Sequence, residues 1–268
     1  MRPTRGLSDK GSEMSPQPSD RTLAILGFHN IGAPAPGGWE TWFYIPEATF
    51  AGYLRYLRDN DWTVIGLETF LEGLESPESL PERAALLTFD DGYRSMRETV
   101  LPWLLRFGYS AVLFVPTDFI GGCNWFDAGS EPEEAICNWG DLRELERCGV
   151  SVQSHGASHR GFSELDLTEQ EEELLRSKAT LEIGLGKPVQ VFAYPYGDSG
   201  THPQDLRRIM QQIGYRVGCL YGGGPNRLPV SDPYRLTRLA MGPDTDLQAV
   251  LGEEHRYDAQ RRARDSNG

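Results

Sequence analysis

Two aspartates, three histidines and a tyrosine stand immediately beyond short apolar runs in this 268-residue sequence. Leu23–Phe28 runs into His29-Asn30, and Ala85–Phe89 into Asp90-Asp91-Gly92. Ser151–Ser154 is followed by His155, with His159 four residues on, and Val189–Tyr194 by Pro195-Tyr196-Gly197-Asp198. Two imidazoles suit a borderline divalent cation such as zinc, and His155 and His159 can face one cation if their segment makes a helical turn. One of Asp90 and Asp91 can supply the third, anionic ligand. Three protein ligands leave positions open for water and substrate, the pattern of a catalytic site. The other aspartate can act as general base on the attacking water, and His29 can protonate a leaving group. Each piece has a plainer explanation when taken singly. Asp-Asp-Gly is a common turn, a spaced histidine pair is often a polar surface feature, and Tyr-Pro-Tyr-Gly makes a rigid turn. Their joint placement after four separate apolar runs is what points to a site.

The elements that position them follow from the hydrophobic pattern. Predicted strands are Leu23–Phe28, Thr63–Ile65, Ala85–Phe89, Ala111–Val115, Ser151–Ser154, Val189–Tyr194, Arg216–Leu220 and Arg235–Ala240. Helical spacing separates them: Phe50, Tyr53, Leu54 and Leu57 share one face, and Thr168 to Leu185 opens with a capping-box pattern, Thr168-Glu-Gln-Glu171. Met96, Val100, Trp103, Leu104 and Phe107 also share a face, but Pro102 predicts a kink or a shortened helix there. Strands alternating with helices imply parallel pairing. The expected fold is α/β, a distorted (β/α) barrel of about seven or eight parallel strands in a single domain, whose strand C-termini converge on one mouth. Residues 120–138 form a long insertion of the length usually kept for functional loops. Residues 1–20 are expected to be a disordered tail, 21–256 the barrel, and 257–268 a C-terminal tail.

Charge narrows the function classes. Lys and Arg number 26 against 39 Asp and Glu, a formal net charge of −13. That balance argues against nucleic acid and against a polybasic membrane surface. No run approaches the ~18 apolar residues of a membrane span. No apolar region with a small-residue cleavage site follows Met1, so a cytoplasmic location is the expectation. None of Cys123, Cys137, Cys148 and Cys219 has C-x-x-C spacing, so neither a zinc ribbon nor a redox motif is indicated. Cys148 and Cys219 read as free thiols, while Cys123 and Cys137 flank one loop that a disulfide can close.

Three strings resemble the motifs of the polysaccharide deacetylases, carbohydrate esterases of the NodB-homology type. They are Thr88-Phe89-Asp90-Asp91-Gly92, Ser154-His155-Gly156-Ala157-Ser158-His159 and Ala193-Tyr194-Pro195-Tyr196-Gly197. The likeness extends over roughly residues 22 to 250 and includes Tyr93, Leu101-Pro102 and Phe114-Val115. It implies a metal-dependent N-deacetylase in which Asp91, His155 and His159 hold the metal, usually zinc. Asp90 would be the general base on the water held there, and the metal with the backbone N–H of Tyr196 would stabilise the oxyanion.

The sequence departs from that pattern twice. Many members carry arginine at the first position of the third motif to orient the base; here it is Ala193, and nothing obvious replaces the contact. A late Leu-x-His string is also missing from Leu236-Thr-Arg-Leu-Ala240. A circularly permuted subgroup, which includes deacetylases of poly-β-1,6-N-acetylglucosamine, has its histidine strand first and commonly lacks the arginine. Leu26-Gly27-Phe28-His29-Asn30 resembles that opening, which implies the acid role for His29. The expected partner is a glycan or N-acetylated amino sugar, with Trp125 and Trp139 as candidate stacking surfaces. Hydrolysis of another non-peptide C–N bond, in an N-formyl sugar or a small N-acyl metabolite, and a catalytically silent carbohydrate-binding barrel are the alternatives.

Overall fold

The computed structural model describes residues 21–34, 37–39 and 41–252. The expected tails, 1–20 and 257–268, lie outside the described residues, as does the end of the expected barrel from 253 to 256.

The chain runs β1 (Arg21–Phe28), β2 (Asn30–Ile31), β3 (Tyr44–Ile45), α1 (Glu47–Asp59), β4 (Thr63–Val64), α2 (Leu67–Glu75), β5 (Arg83–Phe89), α3 (Leu101–Phe107) and β6 (Ala111–Val115). It continues through α4 (Trp139–Arg147), β7 (Val150–Ser154), α5 (Leu167–Leu185), β8 (Val191–Ala193), α6 (Pro203–Ile213), β9 (Val217–Cys219), β10 (Asn226–Leu228) and β11 (Leu239–Ala240). All eight predicted strands form. The short β2, β3 and β10 are additions that carry no long apolar run.

The sheet order is β10-β1-β5-β6-β7-β8-β9, with β4 pairing β5 and β11 pairing β1. Among the described residues every pairing in this sheet is parallel except that of β10 with β1. The sheet curves far enough for the last strand segment to touch both ends. Leu236 bridges Cys219 of β9, and Leu239 and Ala240 pair with Leu26 and Gly27 of β1. This is the expected distorted parallel barrel.

Side chains alternate across the strands as the pleat requires. Leu23, Ile25, Ala84, Leu86, Val112, Phe114, Val191, Ala193, Val217 and Cys219 fill the interior. Leu26, Phe28, Leu87, Phe89, Leu113, Val115, Val152 and Phe192 point out against the helices, where Phe28 stacks on Phe89 at 5.1 Å. The interior is built largely from small and branched residues, which leaves room for one long side chain near the mouth.

Local chemistry shifts some helix starts. Asp166, not Thr168, is the N-cap of α5; its carboxylate accepts from the N–H groups of Thr168 and Glu169, and Glu169 returns the capping-box bond. Aspartate two residues upstream competes successfully for the same orphan donors. Pro102 resolves as predicted by a change of pitch, with a π turn over Met96–Val100 passing into α3. The wider turn accommodates a residue that cannot donate to the preceding turn. All four cysteines are free, so Cys123 and Cys137 close no disulfide. No helix among the described residues is long and apolar enough to cross a membrane.

Candidate active site

Three strand ends bring Asp90, Asp91, His155 and His29 to the barrel mouth, and a cavity of about 310 Å³ opens above them. His159, Tyr196, Tyr44, Tyr93, Tyr221 and Asp127 also line it. Asp90 and Asp91 are buried directly after β5, with Asp90 N–H bonded to Phe28 O at 2.9 Å across the sheet. Asp91 at φ 68°, His159 at φ 58° and Tyr196 at φ 57° are three of the four non-glycine residues at positive φ among those described. Left-handed backbone at a non-glycine residue costs free energy and persists where neighbouring structure enforces it, commonly at functional sites.

His155 and His159 do not share a helical turn. They flank a loop in which Gly156 takes φ 79°, and the loop is held from both sides. Thr117 N–H and Asp118 N–H donate to Gly156 O and Ala157 O at 3.1 and 3.0 Å. From α5, the buried Glu173 accepts at Oε2 from Ala157 N–H and Ser158 N–H at 2.8 and 2.9 Å. Arg176 bonds the other oxygen of Glu173 at 3.2 Å and Asp118 at 2.6 Å, tying the two supports together.

Asp91, His155 and His159 offer ligand atoms that all lie within 4.8 Å of one another. Both Nε2 atoms converge on Asp91 Oδ1, at 3.4 Å from His155 and 3.1 Å from His159. That oxygen is buried yet has no aligned hydrogen-bond partner among the described residues. His155 Nδ1 lies 2.8 Å from Ala193 O, so this nitrogen carries the proton and Nε2 keeps its lone pair for the site. A buried carboxylate oxygen and two imidazole nitrogens aimed at one point, with nothing to bond them, fit a divalent cation.

Asp90 is gripped by Arg238, a residue absent from the expected site. The guanidinium donates from Nη1 to Asp90 Oδ1 at 2.6 Å and from Nη2 to Oδ2 at 2.7 Å. Its Nε donates to Leu220 O at 2.7 Å, and its Cζ lies 5.3 Å from the centre of the Phe114 ring and 5.4 Å from that of Tyr221. Fully buried, it occupies the room that small interior residues leave. Ala193, which pairs with Cys219 beside it, is one of them. The contact missing at position 193 is therefore supplied from the last strand segment. The signal was an arginine two residues from Leu236, in the same inward register, where charge is tolerated only with a partner. Burial raises the Asp90 pKa; Arg238, then His155, outweigh it and hold the carboxyl below its usual value.

His29 also faces the site, Nε2 3.9 Å from Asp91 Oδ2 and Nδ1 3.4 Å from the Tyr221 hydroxyl. Burial lowers its pKa despite the raising influence of Asp91 and Asp90. Tyr196 lies at the rim, 60% exposed, with its ring edge-on to His159 at 4.7 Å and its hydroxyl donating to Asp127 Oδ1 at 3.2 Å. Phe126, from the 120–138 insertion, covers His159 at 4.0 Å between ring centres. Trp125 is 62% exposed on the same insertion but does not line the cavity. Trp139 is the correction among the candidates. Its ring is laid against Gly184 in the outer helix layer, beside Arg143 and Ile183, because the first turn of α4 faces α5 rather than the mouth.

A family model described as polysaccharide deacetylase matches residues 78–218, a stretch that contains both aspartates and both loop histidines. The chain belongs to the polysaccharide deacetylase family. Among its curated relatives, the Bacillus subtilis (strain 168) protein YxkH is 23% identical over 196 residues, covering 73% of this chain and 63% of that protein. The poly-β-1,6-N-acetyl-D-glucosamine N-deacetylase of Escherichia coli (strain K12) is 26% identical over 167 residues, 58% of this chain and 24% of that protein. The chain thus spans less than two thirds of either relative. Two solved structures share the deacetylase fold. Streptococcus pyogenes deacetylase PplD in complex with acetate superposes with a TM-score of 0.74 at 19% identity, covering 87% of this chain and 98% of that one. IcaB from Ammonifex degensii gives 0.73 at 24%, covering 87% and 97%.

Proposed function

We propose that this member of the family is a metal-dependent hydrolase that removes N-acetyl groups from amino sugars of a glycan. The observation that carries the reading is the buried Asp90–Arg238 pair set directly beside the converging Asp91, His155 and His159. A divalent cation, zinc by preference for two imidazoles and a carboxylate, would polarise the amide carbonyl and acidify water when bound by those three side chains.

The chain's own groups divide the rest of the work. Asp90, kept ionised and fixed in orientation by two N–H donors, accepts the proton of the attacking water. The backbone N–H of Tyr196, at the rim, is assigned to the oxygen on which negative charge develops. His29 delivers a proton to the departing amine. Asp91 and Asp90 beside it favour the protonated form that this role needs, against the effect of burial. Phe126 and Tyr196 flank His159 and shield that ligand from bulk water, strengthening electrostatic interactions inside. The E. coli relative's name supplies the substrate class: a β-1,6-linked N-acetylglucosamine polymer.

Asp90→Asn tests the reading. The amide keeps the shape but gives up one of the two acceptor oxygens that Arg238 uses and cannot serve as the base, so folding is checked by circular dichroism alongside. Acetate release from N-acetylglucosamine oligomers should vanish while calorimetry still detects zinc and oligomer binding. Full turnover in that variant would overturn the assignment, and a wild-type protein that binds oligomers with no turnover to lose would be a binding module.

A further inference from the structure

Beside the catalytic cavity lies a second, open groove whose walls include Trp39, Thr41, Trp42, Tyr44, Glu47 and Pro243. Tyr44 lines both hollows, so the groove continues the cavity outward. The two tryptophans are each 38% exposed and the adjoining Phe43 is 37% exposed. Large exposed rings gathered in one place mark interaction surfaces more often than isolated ones do.

The rings form a file leading away from the reacting centre. Phe43 packs against His29 with ring centres 4.7 Å apart, and Trp42 stands edge-on to Phe43 at 5.9 Å. Trp42 is seated firmly: Nε1 donates to Asp244 Oδ1 at 2.7 Å, and the ring lies so close over Gly242 that a Cβ there would come within 2.0 Å of it. A side chain is thus given up at position 242 to hold a ring that remains partly in water. The same segment is tied across the cleft, Thr41 Oγ1 to Glu131 at 2.7 Å and Tyr44 Oη to Glu134 at 3.1 Å. Aromatic faces flanked by the Thr41 hydroxyl oxygen and by the Glu47 carboxylate, one oxygen of which accepts from Trp103 Nε1 at 2.7 Å, match a pyranose ring, which has apolar C–H faces and a hydroxyl edge.

We propose that Trp39 and Trp42 form a stacking shelf for the sugar units next to the one that reacts, so that the enzyme selects a polymer over a single amino sugar. This rests on the function proposed above. A chain leaving the catalytic cavity past Phe43 enters this groove. That continuity favours further units of the same glycan over a separate ligand.

The test compares wild type, Trp39→Ala, Trp42→Ala and Trp42→Phe, all zinc-loaded. Acetate release is followed from N-acetylglucosamine and from its β-1,6-linked tetramer, and tetramer binding is measured by calorimetry. The shelf predicts that kcat/KM on the tetramer falls about tenfold in each alanine variant, chiefly through KM, with the monosaccharide rate unchanged. Trp42→Phe should recover most of the loss, which separates stacking from lost packing over Gly242. Unchanged tetramer kinetics and binding, or an equal loss on both substrates, would overturn the shelf. Absence of acetate release from wild type would instead count against the proposed function. Tetramer affinity in wild type and Trp39→Ala then decides the shelf alone: weaker binding in the variant supports it and equal binding rejects it.

Discussion

Arg238 and Asp90 lie 148 positions apart in the chain and meet as a two-pronged ion pair inside the barrel, with N–O distances of 2.6 and 2.7 Å. Arg238 is fully buried and Asp90 nearly so, and the guanidinium fork takes both carboxylate oxygens. Removing the cation leaves a buried carboxylate without its strongest opposing charge.

Arg238→Met keeps most of the volume and deletes the charge. Breaking a buried pair from one side costs about 3–5 kcal/mol, so the midpoint of urea unfolding should fall markedly. Burial then raises the Asp90 pKa with less to oppose it. Because the base must be ionised, the acid limb of the pH–rate profile should move to higher pH. Arg238→Lys keeps the charge but not the fork, and should retain the fold better than it retains turnover.

Ala193→Arg would restore the arginine that many family members carry, but into an interior where Arg238 already sits close to Cys219, the partner of residue 193. Overpacking and a second buried cation should destabilise the single variant by about 3 kcal/mol or more. In an Arg238→Ala background the same substitution should cost much less. Denaturation of the four proteins in the cycle measures that coupling; simple additivity would show that the two positions do not share space.

The metal set and the acid separate by their readouts. His155→Ala or His159→Ala should lower zinc affinity sharply, since one of three protein ligands is lost. His29→Ala should keep the zinc and lose about 10²–10⁴-fold in turnover, the usual worth of general acid–base catalysis. Metal content and acetate release, measured on the same preparations, check both.

Glu173 touches no ligand atom, yet its carboxylate holds the Ala157 and Ser158 N–H groups of the histidine loop. Glu173→Gln retains one acceptor oxygen and gives up the charge. Zinc affinity should fall about 10–100-fold, the scale typical of groups that orient metal ligands. Competition with a chelating dye measures this. An unchanged affinity would confine Glu173 to packing.

Much of this arrangement was legible in the chain itself, for identifiable reasons. Continuous apolar runs such as Ala111–Val115 mark strands buried on both faces, and polar residues directly after them must fall at the mouth of a parallel barrel. Arg238 was missed because Leu236–Ala240 was read for a histidine. The pairing of Leu239 with Leu26 fixes the register in which position 238, like Leu236, points inward. The loop carrying His155 and His159 looks helical by spacing, but Gly156 and Glu173 hold it in a turn that spacing does not encode. Trp139 could not be placed from sequence, since a ring at a helix start packs against whichever neighbour the fold supplies. That neighbour is Gly184, whose missing side chain receives it.

The most direct measurement is acetate release from β-1,6- and β-1,4-linked N-acetylglucosamine oligomers by protein stripped with a chelator and then reloaded with zinc. The account predicts no release from the stripped protein, recovery on reloading, and faster turnover of the β-1,6 series. No release from either series, with zinc demonstrably bound at Asp91, His155 and His159, would contradict it.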